Sequence, residues 1–387
     1  MAVGIILLFV GTGIIPAIAQ DIQKPLPTSR GNWLYVGGSG PENYTRIQDA
    51  INASFDGDTV YVYDDSSPYY EHILINTSIR IFGECRETTT INGDGEGTVI
   101  SCYSNNVTIN NFTIEQSGRN RWSDAGIKLH GNAYYPVSGC TLSNLTITNN
   151  AIGIFLISSC FTDISNTTIT NCSYVGIDIG DELSFDFVPS HNKIHNNIIF
   201  NNGEEGIKIE SLSLPGYLGL GGNEIYQNVI TSNGWKPFDV NRSFLGGIVF
   251  IATNSNSVFE NVIVNNPIGI VMAAVYHTCS NNTVYLNDIN LNKIGIVIKP
   301  PWLGYSAGGN KIFKNNFVNN KIHALNSDKN VWDDGMGHGN YWDNWIGVKY
   351  EACSKLPKII LGRTYYLPLP RFNFDWYPAQ EPYKIGE

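Results

Sequence analysis

Charge is scarce in this sequence. Asp, Glu, Lys and Arg make up 15% of its 387 residues and leave a net charge of −10. That balance excludes a nucleic-acid binder, which needs a basic surface. It also opposes tight binding of a strongly anionic polymer unless a cation bridges the two. Beyond residue 19 no apolar run is long enough to span a bilayer. The seven cysteines include no Cys-x-x-Cys pair. Cys140 and Cys160 fall about one repeat apart, so a disulfide between them stands as an alternative to buried thiols. Also missing is the 3.6-residue period of a long amphipathic helix, which excludes a helical bundle or helical repeat.

What the chain has instead is a repeating phrase, Asn-x-Ile-x-x-Asn-x-Ile-x-x-Asn followed by Gly-Ile. It reads Asn192, Ile194, Asn197, Ile199, Asn202 and again Asn223, Ile225, Asn228, Ile230, Asn233. Further copies run from Asn256 to Asn266, Asn282 to Asn292 and Asn310 to Asn320. The Gly-Ile pairs recur at Gly126, Gly153, Gly176, Gly206, Gly247, Gly269 and Gly295. A period of about 20–30 residues marks a solenoid. Apolar residues two apart share one face of a strand, and the step of five turns a corner. Each repeat therefore reads as three short strands closing one turn of a coil, with Ile and Val stacked inside. Asn suits the corners because it tolerates left-handed backbone and bonds nearby groups, and stacked amides can form ladders. The glycines fit tight bends that need positive φ. A β-sandwich is the alternative, but sandwich strands would not repeat one Asn register.

Residues 1–19 are apolar and end in Ala17-Ile18-Ala19 before Gln20, which reads as a secretory signal; an uncleaved membrane anchor is the rival. Either reading puts the mature chain outside the cytoplasm, secreted or on the cell surface. Residues 20–34 form a linker, 35–330 the repeats, and 331–387 a separate C-terminal segment. Ile47, Ala50 and Ile51 have helical spacing and suit a short helix that plugs the first turn, as terminal repeats require. The C-terminal segment, with Trp332, Tyr341-Trp342, Trp345 and Asp375-Trp376-Tyr377-Pro378, reads as an aromatic cap, the alternative being a sugar-stacking platform. Ten Asn-x-Ser/Thr sequons, at Asn43, Asn52, Asn76, Asn106, Asn111, Asn144, Asn166, Asn171, Asn241 and Asn281, are candidate glycosylation sites. Several are expected inside the ladders.

Unequal insertions interrupt the turns at 131–139, 180–190, 211–222, 235–246 and 299–309. Four leave the same corner and should wall a cleft. In each Gly-Ile strand the residue after Ile faces outward. That outer column reads Lys128, Phe155, Asp178, Lys208, then Val249, Val271 and Val297. The next outward column holds His130 and Glu210. Lys128, His130, Asp178, Lys208 and Glu210 thus share one strip, bordered by Arg119, Arg121, Asp181, Glu204 and Glu205. For catalysis, Lys208 or His130 is the candidate base, and Asp178 or Glu210 the candidate acid. Asp178 with Glu210 is the carboxylate pair that a glycosidase would use. For binding without turnover, Lys128, Phe155, Asp178, Lys208 and Glu210 are the candidate contacts. Solvated surface charge is the plainest alternative. The valine strip is expected to lie under the insertions.

Several segments carry a family resemblance: Ile47-Gln48-Asp49-Ala50-Ile51, Gly57-Asp58-Thr59-Val60, Ile81-Phe82-Gly83, Val107 to Ile114 and Gly339-Asn340-Tyr341-Trp342. With the Asn-rich corners they resemble the NosD-like proteins, and the Asp375-Trp376-Tyr377-Pro378 and Glu381-Pro382-Tyr383 ending is similar to that of secreted archaeal members. The resemblance implies an all-β, right-handed parallel β-helix of the pectin-lyase type, in a group of carbohydrate-binding proteins and sugar hydrolases. It implies a monomer that binds extended polysaccharide or cell-envelope glycan along one face. Alternatives are a polysaccharide lyase, epimerase or glycosidase, a structural surface or adhesion protein, and a NosD-type copper-binding accessory protein. Copper handling prefers Met, Cys and His clusters; this chain has three Met and seven scattered His, so no metal ligands are assigned. Calcium is a candidate cofactor by resemblance. Where many relatives carry Asp-x-Asp-Gly-Asp-Gly, however, this chain reads Ile346-Gly347-Val348-Lys349-Tyr350-Glu351.

Overall fold

The computed structural model describes residues 31–131, 135–180, 189–211, 221–236, 244–275, 277–299, 304–345, 356–363 and 370–386. Residues 1–30, with the expected signal and most of the expected linker, parts of the insertions including Asp181, the sequon at Asn241, Cys353 and the 346–351 stretch lie outside those residues.

Three-residue strands dominate because each phrase offers one inward side chain between two corners. Among the described residues they stack into two eleven-stranded sheets and one twelve-stranded sheet. Sheet A runs from Trp33–Val36 to Lys311–Phe313, sheet B from Tyr69–Tyr70 to Tyr341–Trp342, and sheet C from Ile73–Ile75 to Pro370–Asp375. Strands within a sheet are parallel, except the final antiparallel pair Lys358–Arg363 and Pro370–Asp375. The molecule is a right-handed parallel β-helix. The middle residues Ile194, Ile225, Val258 and Val284 in sheet A, and Ile199, Ile230, Ile263 and Ile289 in sheet B, are fully buried in one continuous core.

The corners divide their labour between adjacent residues, which the sequence had assigned to one. The left-handed position is the residue before the ladder Asn: Asn196, Gln227, Glu260, Leu286 and Lys314 have φ of 53–57°. The ladder Asn itself is an amide relay. Asn228 Oδ1 accepts both the backbone N–H and the Nδ2–H of Asn197, each at 3.0 Å. Asn228 in turn donates to Asn261, Asn261 to Asn287, Asn287 to Asn315 and Asn315 to Asn340. Parallel ladders rise from Asn192 to Asn330 and from Asn202 to Asn320. These bonds meet backbone donors that the bends would otherwise bury unpaired.

The middle ladder ends on a carboxylate. Asp375 Oδ2 accepts from Asn340 N at 2.8 Å, Asn340 Nδ2 at 3.3 Å and Trp342 Nε1 at 2.9 Å. Trp332 and Trp342 are buried, and Trp342 stacks on Phe317 with centroids 4.3 Å apart. Those two rings therefore belong to the core and present no sugar platform. Parallel pairing also continues past residue 330, with Asn316 opposite Tyr341. At the other end the helix Ile47–Asn52 buries Ile47, Ala50 and Ile51. Its first N–H groups, on Ile47 and Gln48, donate to the Glu71 carboxylate at 2.8 and 3.0 Å, an acceptor placed where helix donors lack partners.

Two sequence expectations change, and one open alternative, the disulfide, is decided in favour of buried thiols. The Gly-Ile glycines do not have positive φ; a Cβ there would strike the next turn's carbonyl, 2.4–2.9 Å away at Gly126, Gly153, Gly206 and Gly269. Glycine is needed for close approach of stacked turns. Cys140 is a free thiol that faces Cys102, while Cys160 Sγ lies 3.4 Å from Ser190 Oγ, so Cys140 and Cys160 are not bonded. The corner sequons Asn106, Asn111, Asn144, Asn166, Asn171 and Asn281 occupy the left-handed position, φ 51–64°, outside the buried ladders. A sequon puts Thr or Ser two residues on, which sets the Asn one residue ahead of the buried corner.

Candidate functional site

The outward column on sheet C has the register expected of it. Lys128 pairs with Phe155, Phe155 with Asp178, Asp178 with Lys208, and Lys208 with Val249, then Val271 and Val297. Strand alternation alone dictates this order. Val249 and Val271 are buried in a small cluster with Phe244, Ile268 and Val275. The polar part of the column ends where this apolar cover begins.

Lys208 is the hub of the charged part. Its Nζ lies 3.0 Å from Asp178 Oδ2 and 3.0 Å from Glu210 Oε2. Asp178 and Lys208 are buried, 6% and 8% exposed, a placement tolerated only when both charges are paired. Burial works against the Lys208 ammonium, but Asp178, Glu210 and Glu205 outweigh it and hold the proton well above the usual lysine range. A lysine base needs the opposite shift. Burial pushes the Asp178 carboxyl up, with Lys208 opposing it.

Two more acids enter from the corner between sheets B and C. Glu204 is ion-paired with Arg121. Glu205 is buried and pushed up to about 8 by desolvation, with Lys208 pulling the other way. Its Oε2 has no hydrogen-bond partner among the described residues. Desolvation thus favours the protonated form of Glu205 beside the Lys208 ammonium. The Arg121 guanidinium sits 5.2 Å from the Trp122 ring and 5.3 Å from the Tyr174 ring, and Lys236 Nζ lies 3.7 Å from the Tyr174 centroid. Such cation–ring contacts stiffen a ridge along the corner. Trp122 and Trp235 remain exposed on it, at 73% and 58%.

On the earlier turns of the same corner lies an open polar groove of about 380 Å3. Gln116, Ser117, Arg119, Asn149, Asn171 and Ser173 line it. The sequence identified Arg119 as a border residue and treated the amides as corner residues only. The clue to the others was their position one ahead of the buried corner, where the left-handed backbone turns the side chain outward.

The structure therefore brings together Asp178, Lys208 and Glu210, with Glu204, Glu205 and Arg121 of the expected border residues beside them. Lys128 and Phe155 sit beside them as a pair, Nζ 5.4 Å from the ring centroid. His130 does not join them. It stacks on Tyr103, and the register puts it opposite Ile157, three turns or about 14 Å from Glu210. Nor do the histidines form a metal centre: His191 stacks on Phe161, while His195 stacks on Tyr226 and pairs with Asp163. Among the described residues no group of three or more His, Cys, Asp or Glu is arranged to hold a metal ion.

A coil of this construction, with one decorated corner, defines the class of parallel β-helix proteins. The family described as periplasmic copper-binding protein (NosD) matches residues 51–273 and 238–347. The chain belongs to that family. The copper in the family's description finds no matching donor set among the described residues. A cell surface glycoprotein of Methanothermus fervidus is 26% identical over 343 residues, covering 78% of this chain and 51% of the relative. The chain thus spans about half the length of that relative. Among solved structures, pectate lyase Pel9A superimposes with a TM-score of 0.57 at 13% identity, over 80% of this chain and 81% of the other. The lacto-N-biosidase from Eubacterium ramulus gives 0.55 at 12%, over 81% and 67%. At such identities the likeness is one of fold.

Proposed function

We propose that this protein is an extracytoplasmic surface β-helix that binds an extended polysaccharide along the corner between sheets B and C and the adjoining outer face of sheet C. The observation that carries the reading is the open polar groove beside exposed Trp122 and Trp235. Amides and hydroxyls suit sugar hydroxyl groups, and indole faces suit pyranose rings. Lys128, Phe155 and Glu210 continue that surface, and the buried Asp178–Lys208 pair holds Glu210 in place. The surface location draws support from the leader-like residues 1–19, the periplasmic family and the cell-surface relative.

Binding without turnover fits Lys208, whose proton is too firmly held for a base. One feature favours a catalytic second reading: burial pushes the Glu205 carboxyl up to about 8, the direction of shift that a glycosidase acid needs. In that reading Glu205 serves as the acid, and Asp178 or Glu210 as the carboxylate partner. The test is to incubate the purified chain with neutral and acidic polysaccharides, following retention and polymer length together. Retention without shortening is the expected result. Shortening that disappears in Glu205→Gln would establish the hydrolase. Neither retention nor shortening would leave a structural surface protein.

A further inference from the structure

We infer that the groove recognises an acidic sugar within an otherwise neutral glycan, and that Arg119 is the residue that reads its carboxylate; the inference rests on the glycan-binding reading above. Gln116, Asn149 and Asn171 hold the left-handed corner position on successive turns, with φ of 60°, 56° and 55°, and all three are exposed. Their amides therefore form a column spaced by one turn, about 4.8 Å. Such a column offers a donor and an acceptor at each step along a bound chain. Exposed Ser173 adds a hydroxyl, whereas the buried Ser117 hydroxyl is spent on Gly118 O and Ala151 N. Nothing in that set prefers a charged ligand.

Arg119 does. It lines the same groove, is exposed, and makes no ion pair among the described residues. Its neighbour Arg121 is committed to Glu204, Trp122 and Tyr174. A guanidinium fork left open over a floor of amides matches a planar carboxylate by two parallel hydrogen bonds. Overall charge limits how acidic the ligand can be. The chain carries −10, and exposed Asp94 and Glu96 flank Gly95, which also lines the groove. A polyuronate would meet repulsion along its length. One carboxylate per few neutral residues meets Arg119 and little else.

The experiment uses the full chain produced without N-glycans, because Asn171 also heads an Asn-Cys-Ser sequon. Calorimetric titration compares three oligosaccharides of equal length: all-neutral hexose, the same chain with one uronate, and an all-uronate chain. The single-uronate oligomer is expected to bind tightest. Arg119→Gln is expected to weaken it about ten-fold, to the level of the neutral oligomer. That substitution should leave the neutral oligomer unchanged, and Arg119→Lys should fall between. Equal binding of neutral and single-uronate oligomers, or an equal loss of both in Arg119→Gln, overturns the inference while glycan binding stands. Tightest binding by the all-uronate chain overturns the sparse-acid part. No binding by any oligomer, in a protein that unfolds cooperatively, overturns the glycan-binding reading as well.

Discussion

The turns before and after Asn192 share one period and one core, yet their corners are built differently. From Asn192 onward every corner holds Asn, and each amide answers the backbone of the turn before. Before it the equivalent positions are Val107, Cys140 and Thr162 at one corner and Phe112, Leu145 and Thr167 at the next. The outsides diverge too. The later turns carry a stack of rings on sheet A, His195–Tyr226–Phe259–Tyr285–Phe313, with centroids 4.7–5.4 Å apart, and a valine column under Phe244. The earlier turns carry the groove, while the ridge and the buried charges straddle the boundary, joining Asp178, Arg121 and Tyr174 before it to Glu204, Glu205, Lys208 and Lys236 after it. Repetition supplies cohesion where the same bond can be made at every level. Departure from it marks the surface where distinct side chains are needed.

The sharpest way to break this comparison is at Lys208. Lys208→Met leaves buried Asp178 and half-buried Glu210 without their cation and should cost about 3–5 kcal/mol in denaturant unfolding. Replacing all three, Asp178→Leu, Lys208→Met and Glu210→Leu, should recover most of that loss. If single and triple variants are equally unstable, packing rather than charge holds this region together. In the later turns Asn261→Leu installs the residue type found at Leu145. It strands the donors of Asn228 and the carbonyls of Ile225 and Phe259. A loss of about 2–3 kcal/mol is expected; a neutral result would show that the ladder is not what stabilises the regular turns. A third test concerns pH. Glu205 ionises near 4.5 when free and near 8 in the fold. The folded state therefore binds the extra proton, and stability falls as pH rises from 4.5 through 8. Glu205→Gln should flatten that slope, gaining about 4–5 kcal/mol at pH 9 relative to pH 4. Thermal unfolding across this range reads the difference, and an unchanged slope would mean that Glu205 is ionised in the fold.

The coil was legible because its signal is periodic. Ile225, Ile230 and Gly247-Ile248 recur at fixed offsets, and the offset determines which side chains face inward. The same arithmetic placed Lys208 beside Asp178. What the period could not reveal was anything that depends on space between turns. The Gly206 requirement comes from the Gly247 carbonyl, 2.7 Å from where a Cβ would stand, with no change in its own backbone. The joining of Arg121 to Glu204 spans 83 residues across an irregular corner, so no local pattern announces it. His130 looked equivalent to Glu210 because both face outward in one column; only the count of turns between them separates the two.

The ladder that ends at Asp375 also has a direction. Each ladder Asn gives its backbone N–H and an Nδ2–H to the amide oxygen of the next turn, while its Nδ2 also reaches back to a carbonyl of the turn behind. A carboxylate is the natural last member, since it accepts from Asn340 and Trp342 and has no donor of its own to place. The stop signal is therefore a single side chain supplied by the tail, independent of how many turns precede it. Whole turns can be added or deleted upstream without changing either end. For a protein of this design, length is a matter of copy number, and reach across a surface can be adjusted one turn at a time.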